Sequence, residues 1–132
     1  MSDQPTRIHA VHTVAVPVSD QDRALAFYVG TLGFETRRDI PMGGAGRWIE
    51  VAPPGAPTTI ALAPATDGTP AGVLTGIRLA TTDAAADRAA LSARGVGVDD
   101  LLRWPGGPPM FEFRDPDGNG LVVVEADAAP PA

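Results

Sequence analysis

At 132 residues, with ten arginines, no lysine, sixteen acidic residues and no cysteine, the chain carries a net charge of -6. That length suits one domain or two small modules sharing a core, and the missing cysteines exclude disulfides, thiolate zinc sites and cysteine nucleophiles. The acidic balance opposes nucleic acid and anionic membranes and favours a neutral or cationic small ligand.

The opening MSDQPTR carries no apolar run of the signal-peptide kind, and no segment reaches membrane-spanning length, so a cytoplasmic protein is expected. VHTVAVPV, residues 11–18, alternates with period two and predicts a strand, with Val14, Val16 and Val18 on the face that a helix would cover. Ser19, with Asp22 three residues on, predicts a helix N-cap, and Leu25, Tyr28, Val29 and Leu32 continue at helical spacing until Gly33 stops the helix. FETRRDI, RWIEVAP and TTIALAP then predict three strands separated by Gly/Pro-rich turns. TTIALAP is apolar enough to need protection if it lies at a sheet edge.

The same order recurs. RLATTD at 78–83 follows AVPVSD by 63 residues, DAAADRAALSARGV repeats the helix, and Gly95 lies 62 residues after Gly33. MFEFRDP follows WIEVAPP at an offset of 62, which sets Glu112 on Glu50 and Pro116 on Pro54. Two βαβββ modules are predicted, at roughly 8–64 and 73–126, forming one α+β domain with a disordered tail over 127–132.

The segment VSDQDRALAFYVGTLGFE, the paired βαβββ layout and the closing DPDGNGLVVVE together resemble the vicinal oxygen chelate superfamily, which includes glyoxalases, bleomycin-resistance proteins and extradiol dioxygenases. The resemblance implies a cup-shaped, curved mixed sheet with helices on its convex face, a small-molecule ligand in the cup, and a homodimer. Enzymes of that superfamily hold a divalent metal through four His, Glu or Gln side chains on the first and last strands of the modules. Neutral imidazole and carboxylate suit zinc, nickel, iron or manganese. By strand register those four positions fall here on Thr13, Ala61, Gly76 and Val122, so no metal and no other cofactor is expected. His12 is one residue out of register and, in a regular strand, shares the face of Val14 rather than that of Thr13.

Strand parity turns Trp48, Glu50, Met110 and Glu112 toward the cup, with Arg78 beside them and Thr13, Thr59 and Val122 in the lining. Glu50, Glu112 and Arg78 are the candidate catalytic residues, since two carboxylates meeting one guanidinium either orient a polar ligand or form a structural ion cluster. Trp48 and Met110 would pack on the ligand body, and Trp104 either closes over the cup or covers core at an edge.

GGAG at 43–46 precedes a strand rather than a helix, which makes it a hairpin turn and not a phosphate loop. No serine stands in a nucleophile elbow. Three classes remain open: a metal-free small-molecule binder of the drug-resistance type, a metal-independent acid/base enzyme, and a metal-dependent lyase or dioxygenase with an unusual ligand set.

Overall fold

The computed structural model describes residues 5–126, so the expected disordered tail at 127–132 lies outside the described residues. Strand β1 spans Thr13–Val18 and helix α1 starts at Gln21. Asp20, not Ser19, caps that helix, its carboxylate accepting from Arg23 N at 3.0 Å. The helix runs as α over Gln21–Leu25 and continues as a wider π-helix over Ala26–Thr31, where Leu32 N reaches back five residues to Phe27 O. The sequence AFYVGT explains the widening, because glycine, β-branched and aromatic residues are poor α-formers in succession.

Strands β2 (Glu35–Pro41), β3 (Arg47–Ala52) and β4 (Thr59–Pro64) complete the first module, in the order β1-β4-β3-β2. TTIALAP is therefore interior, paired parallel to β1 and antiparallel to β3; the edges are β1 and the exposed, arginine-rich β2. An apolar strand flanked on both sides needs no edge protection. GGAG forms a short 3-10 turn between β2 and β3, closed by Met42 N to Gly46 O at 2.8 Å.

The second module repeats the plan with β5 (Leu74–Thr81), helix α2 (Ala84–Ala93, capped by Asp83), β6 (Met110–Arg114) and β7 (Gly120–Glu125), ordered β5-β7-β6. Its expected extra strand is reduced to two isolated bridges, Val98 to Phe113 and Leu102 to Met110. Asp99 and Asp100 are weak strand formers, and the prolines at 105, 108 and 109 lack the N–H a ladder needs.

The predicted parity holds under the helices. Val16, Val18, Ile49, Val51, Ile60 and Leu62 meet Ala24, Phe27 and Tyr28, while Phe111, Phe113, Leu121 and Val123 meet Ala84 and Leu91. Phe27 crosses between modules to Phe113, with ring centroids 6.2 Å apart. Each large side chain buried this way contributes about 1.5–3 kcal/mol.

A polar clasp also joins the modules. Asp115 is buried, its Oδ1 accepting from Asp117 N and Asn119 N and its Oδ2 from the Tyr28 hydroxyl and Asn119 Nδ2. Asn119, 0% exposed, also donates to Pro17 O at 2.8 Å and accepts from Gly72 N and Val73 N. Asp117 Oδ1 in turn accepts from the Ser19 hydroxyl and from Arg23 Nη2. The DPDGN stretch is thus a turn that ties the last hairpin to β1, α1 and the inter-module segment.

Candidate functional site

On the face of the first sheet away from α1, register aligns Ala15, Ala61, Glu50 and Arg38 in one row across four strands. Glu50 is only 4% exposed. Its Oε2 accepts from Trp48 Nε1 at 2.7 Å and its Oε1 from Thr59 Oγ1 at 2.8 Å. Those donors stabilise the charged form and hold the carboxyl below its usual range: the Trp48 bond acts most, burial opposes it, and Thr59, His12 and Arg38 add to the lowering. Thr13 lies opposite Thr59 and donates to its carbonyl at 3.2 Å.

His12 precedes β1 rather than belonging to it, and its imidazole, 80% exposed, brings Nε2 to 3.9 Å from Glu50 Oε1. Its carbonyl still accepts from Thr59 N at 3.1 Å, but His12 is the last group of the ladder, and at that frayed end its ring turns toward Glu50 instead of sharing the face of Val14 as a regular strand would have it.

The equivalent face of the second sheet carries the row Arg78, Val122 and Glu112, with Ala80, Val124 and Met110 beside it. Met110, Glu112 and Val122 line a cavity of about 410 Å³ together with Asp99, Asp100 and Leu102. Here the expected ion cluster takes another form. Glu112 Oε2 pairs with Arg114 Nη2 at 2.9 Å, Arg114 pairs also with Asp99, and Arg78 is exposed, donating among the described residues only to Gly76 O at 3.2 Å. Arg114 wins because it stands two residues from Glu112 on the same strand face, whereas Arg78 is separated from it by the Val122 strand. Glu112 packs over Gly120, where a Cβ would come 3.2 Å from its carboxyl carbon.

Trp104 sits in the loop before β6, half-exposed, with its indole over Gly107; a Cβ there would lie 1.2 Å from Nε1. The structure therefore gathers Thr13, Trp48, Glu50 and Thr59 on one sheet and Arg78, Met110, Glu112 and Val122 on the other. No hydrogen bond or ion pair among the described residues joins the two groups. Arg114 and Asp99 are the additions that sequence reading did not supply, and His12, set aside there by its register, approaches Glu50; the only signal for Arg114 was its i, i+2 spacing from Glu112.

The sequence pattern described as the glyoxalase/bleomycin resistance protein/dioxygenase superfamily matches residues 10–123. The chain belongs to this superfamily. It is 31% identical over 122 residues to the uncharacterized protein YetH of Bacillus subtilis (strain 168), covering 89% of this chain and 99% of YetH. Among solved structures it is similar to TnmS3, an antibiotic binding protein from Streptomyces sp. CB03234, with a TM-score of 0.84 and 41% identity over 93% of this chain and all of that one. A superfamily member from Sphaerobacter thermophilus DSM 20745 gives a TM-score of 0.85 at 40% identity, covering 92% of this chain and 100% of the other. The two mixed sheets and two helices are thus the fold of this superfamily.

Thr13, Ala61, Gly76 and Val122, the four positions that strand register assigns to metal ligands, offer a hydroxyl already engaged with Thr59 O, a methyl, a glycine and an isopropyl group. Among the described residues, no three His, Cys, Asp or Glu side chains lie close enough together to hold a metal ion. The donor set does not fit the group.

Proposed function

We propose that this chain is a small-molecule binding protein of the superfamily that works without the catalytic metal, taking its ligand against the sheet faces that carry Glu50 and Glu112. The carrying observation is the Met110–Val122–Glu112 cavity, in which apolar side chains stand beside the carboxylates of Asp99, Asp100 and Glu112, a lining suited to an apolar body that carries a cationic or hydrogen-bond-donating group. The 41% identity to an antibiotic binding protein supports the same reading. Trp48 and Trp104 would pack on an aromatic or fused-ring body, and Glu50 and Glu112 would accept hydrogen bonds or meet a cationic group.

An acid/base role for Glu50, with His12 near it, is the second reading. Against it stands the lowered carboxyl, since a general base works best with a pKa near the working pH. A homodimer is part of the proposal, supported by the exposed Ile8, Val11, Leu74, Leu102 and Trp104. Sedimentation showing monomer alone at micromolar concentration and above would remove that part.

The deciding experiment is a thermal-shift screen of antibiotics and other polycyclic molecules, run beside nickel, zinc, iron and manganese. A hit should raise Tm with concentration and bind less tightly to Glu50→Gln or Glu112→Gln, while the metals produce a marginal rise only. A stoichiometric metal held through gel filtration, with His12 among its ligands, would restore the lyase or dioxygenase reading.

A further inference from the structure

A second cavity, of about 210 Å³, lies on the helix side of the sheets at the seam between the modules. Helix α2 and its C-cap present Asp87, Ala90, Leu91 and Arg94 to it, spaced as one helical face. The opposite walls include Phe34 and Pro53 of the first module and Phe113 of the second.

The internal repeat accounts for the void. The helix caps Asp20 and Asp83 set an offset of 63 through the helices, so Leu91 stands on Tyr28 and Ala90 on Phe27. On one side of the seam that position is filled by the Phe27 ring, which packs on Phe113. On the other it holds a methyl group, and that methyl lines the cavity.

The walls are apolar, and the two charged groups stand at opposite ends, two helical turns or about 10 Å apart. Asp87 is occupied, accepting from the Thr81 hydroxyl. Arg94 donates from Nη1 to Thr31 O at 2.8 Å and enters none of the ion pairs of the described residues. An apolar cavity of about 150 Å³ is enough to take up benzene. A guanidinium fork with free donors at its rim adds selectivity for a planar carboxylate.

We propose that this seam cavity is a ligand site separate from the open sheet faces, and that it takes a compact aromatic carboxylic acid. The ring fills the place that a counterpart of Phe27 would take at Ala90, among Phe34, Leu91 and Phe113, and the carboxylate meets Arg94. The net charge of -6 does not forbid an anion here, because distant surface charges are screened beyond about 10 Å at 0.1 M salt while the Arg94 contact is direct.

Calorimetric titration of the full chain with phenylacetate tests this, with phenylacetamide and acetate as the probes lacking charge or ring. One saturable site per chain is expected, with both control probes at least tenfold weaker. Arg94→Met should weaken phenylacetate tenfold or more, Ala90→Tyr should abolish its binding by filling the void with a ring, and Glu112→Gln should leave it unchanged. If Ala90→Tyr does not fold, as judged by circular dichroism, Ala90→Leu replaces it as the smaller filler. The proposal is overturned if folded wild-type protein shows no saturable uptake, or if neither the Arg94 nor the Ala90 variant changes affinity. Loss of binding on Glu112→Gln alone would overturn it too, by moving the ligand to the open face.

Discussion

The hydroxyl of Tyr28 donates to Asp115 Oδ2 at 3.0 Å, joining α1 of the first module to the last turn of the second across 87 residues of sequence. Burial, then the neighbouring Asp115 carboxylate and this hydrogen bond, drive the phenol pKa far above its ordinary 10.0. The native state therefore keeps a proton that the unfolded chain loses above pH 10, and stability falls as pH rises beyond it, by up to about 1.4 kcal/mol per pH unit. Below pH 10 this contribution is fully present. Tyr28→Phe should cost about 1–3 kcal/mol at pH 7 and flatten the alkaline decline. Denaturant unfolding of both proteins from pH 7 to 11 checks this; parallel curves would show that the phenol is not the titrating group.

Asn119 makes the larger demand on its surroundings, since its amide group meets Pro17 O, Asp115 Oδ2, Gly72 N and Val73 N with no exposure to water. Asn119→Asp sets a second carboxylate against Asp115 and turns an oxygen toward a carbonyl. A loss of about 3–5 kcal/mol is expected. Because this clasp holds residues 72 and 73, the variant should also be cut faster by protease over 65–72. Wild-type protein should resist, as one folded unit would. A stable, folded half released from the wild type would refute the single-unit reading.

Glu50 governs the acid side. Its folded pKa lies below the ordinary 4.5, so its contribution is present above that value and is lost as pH falls through the depressed one. Glu50→Gln keeps the shape and can still accept from Trp48 Nε1, so a modest loss of about 1–2 kcal/mol is expected at pH 7. The gap between the two proteins should close as the pH falls below 4.5. Asp99, lowered by Arg114, titrates in both and cancels in the difference. A gap that stays constant as the protein is acidified to its unfolding would sink the assignment.

Gly120 offers a finer test of the second sheet face. A Cβ at this position would stand 2.9 Å from Leu74 Cδ2 and 3.2 Å from the Glu112 carboxyl carbon. Gly120→Ala should move the Glu112 side chain by a few tenths of an ångström. It should therefore weaken any ligand that Glu112→Gln weakens, at a stability cost of about 1–3 kcal/mol. Competitive binding of a thermal-shift hit to the two variants decides this: unchanged affinity in Gly120→Ala beside a loss in Glu112→Gln would mean the carboxylate is not positioned by the glycine.

Much of the fold was legible because it rests on local periodicity. The alternation that buries Ile49, Val51, Phe111 and Phe113 is written within each strand, and Gly33 and Gly95 mark helix ends with φ of 82° and 81°. The site was legible only as faces. Strand parity put Glu50 and Glu112 on the side away from the helices, but it could not choose Arg114 over Arg78 as the partner of Glu112. Nor could it show that the ring of His12, at the end of the ladder, turns toward Glu50. The clasp escaped because DPDGN is a sound hairpin turn by itself, and its other half, Pro17, Tyr28 and Gly72, is scattered over distant sequence.

The Pro17–Asn119 bond spans 102 residues, and this bears on synthesis at the ribosome. The first module emerges with its Phe27 and Tyr28 face ready, yet the groups that satisfy and cover that face come only with β6 and the turn after it. Until then the nascent chain carries an exposed aromatic surface, which is the state most prone to aggregation and most in need of a chaperone. Contacts closed over such separations also slow folding. Chains stalled on the ribosome before Asp115 should therefore be cut readily by protease within the first module, and those stalled well beyond Asn119 should resist.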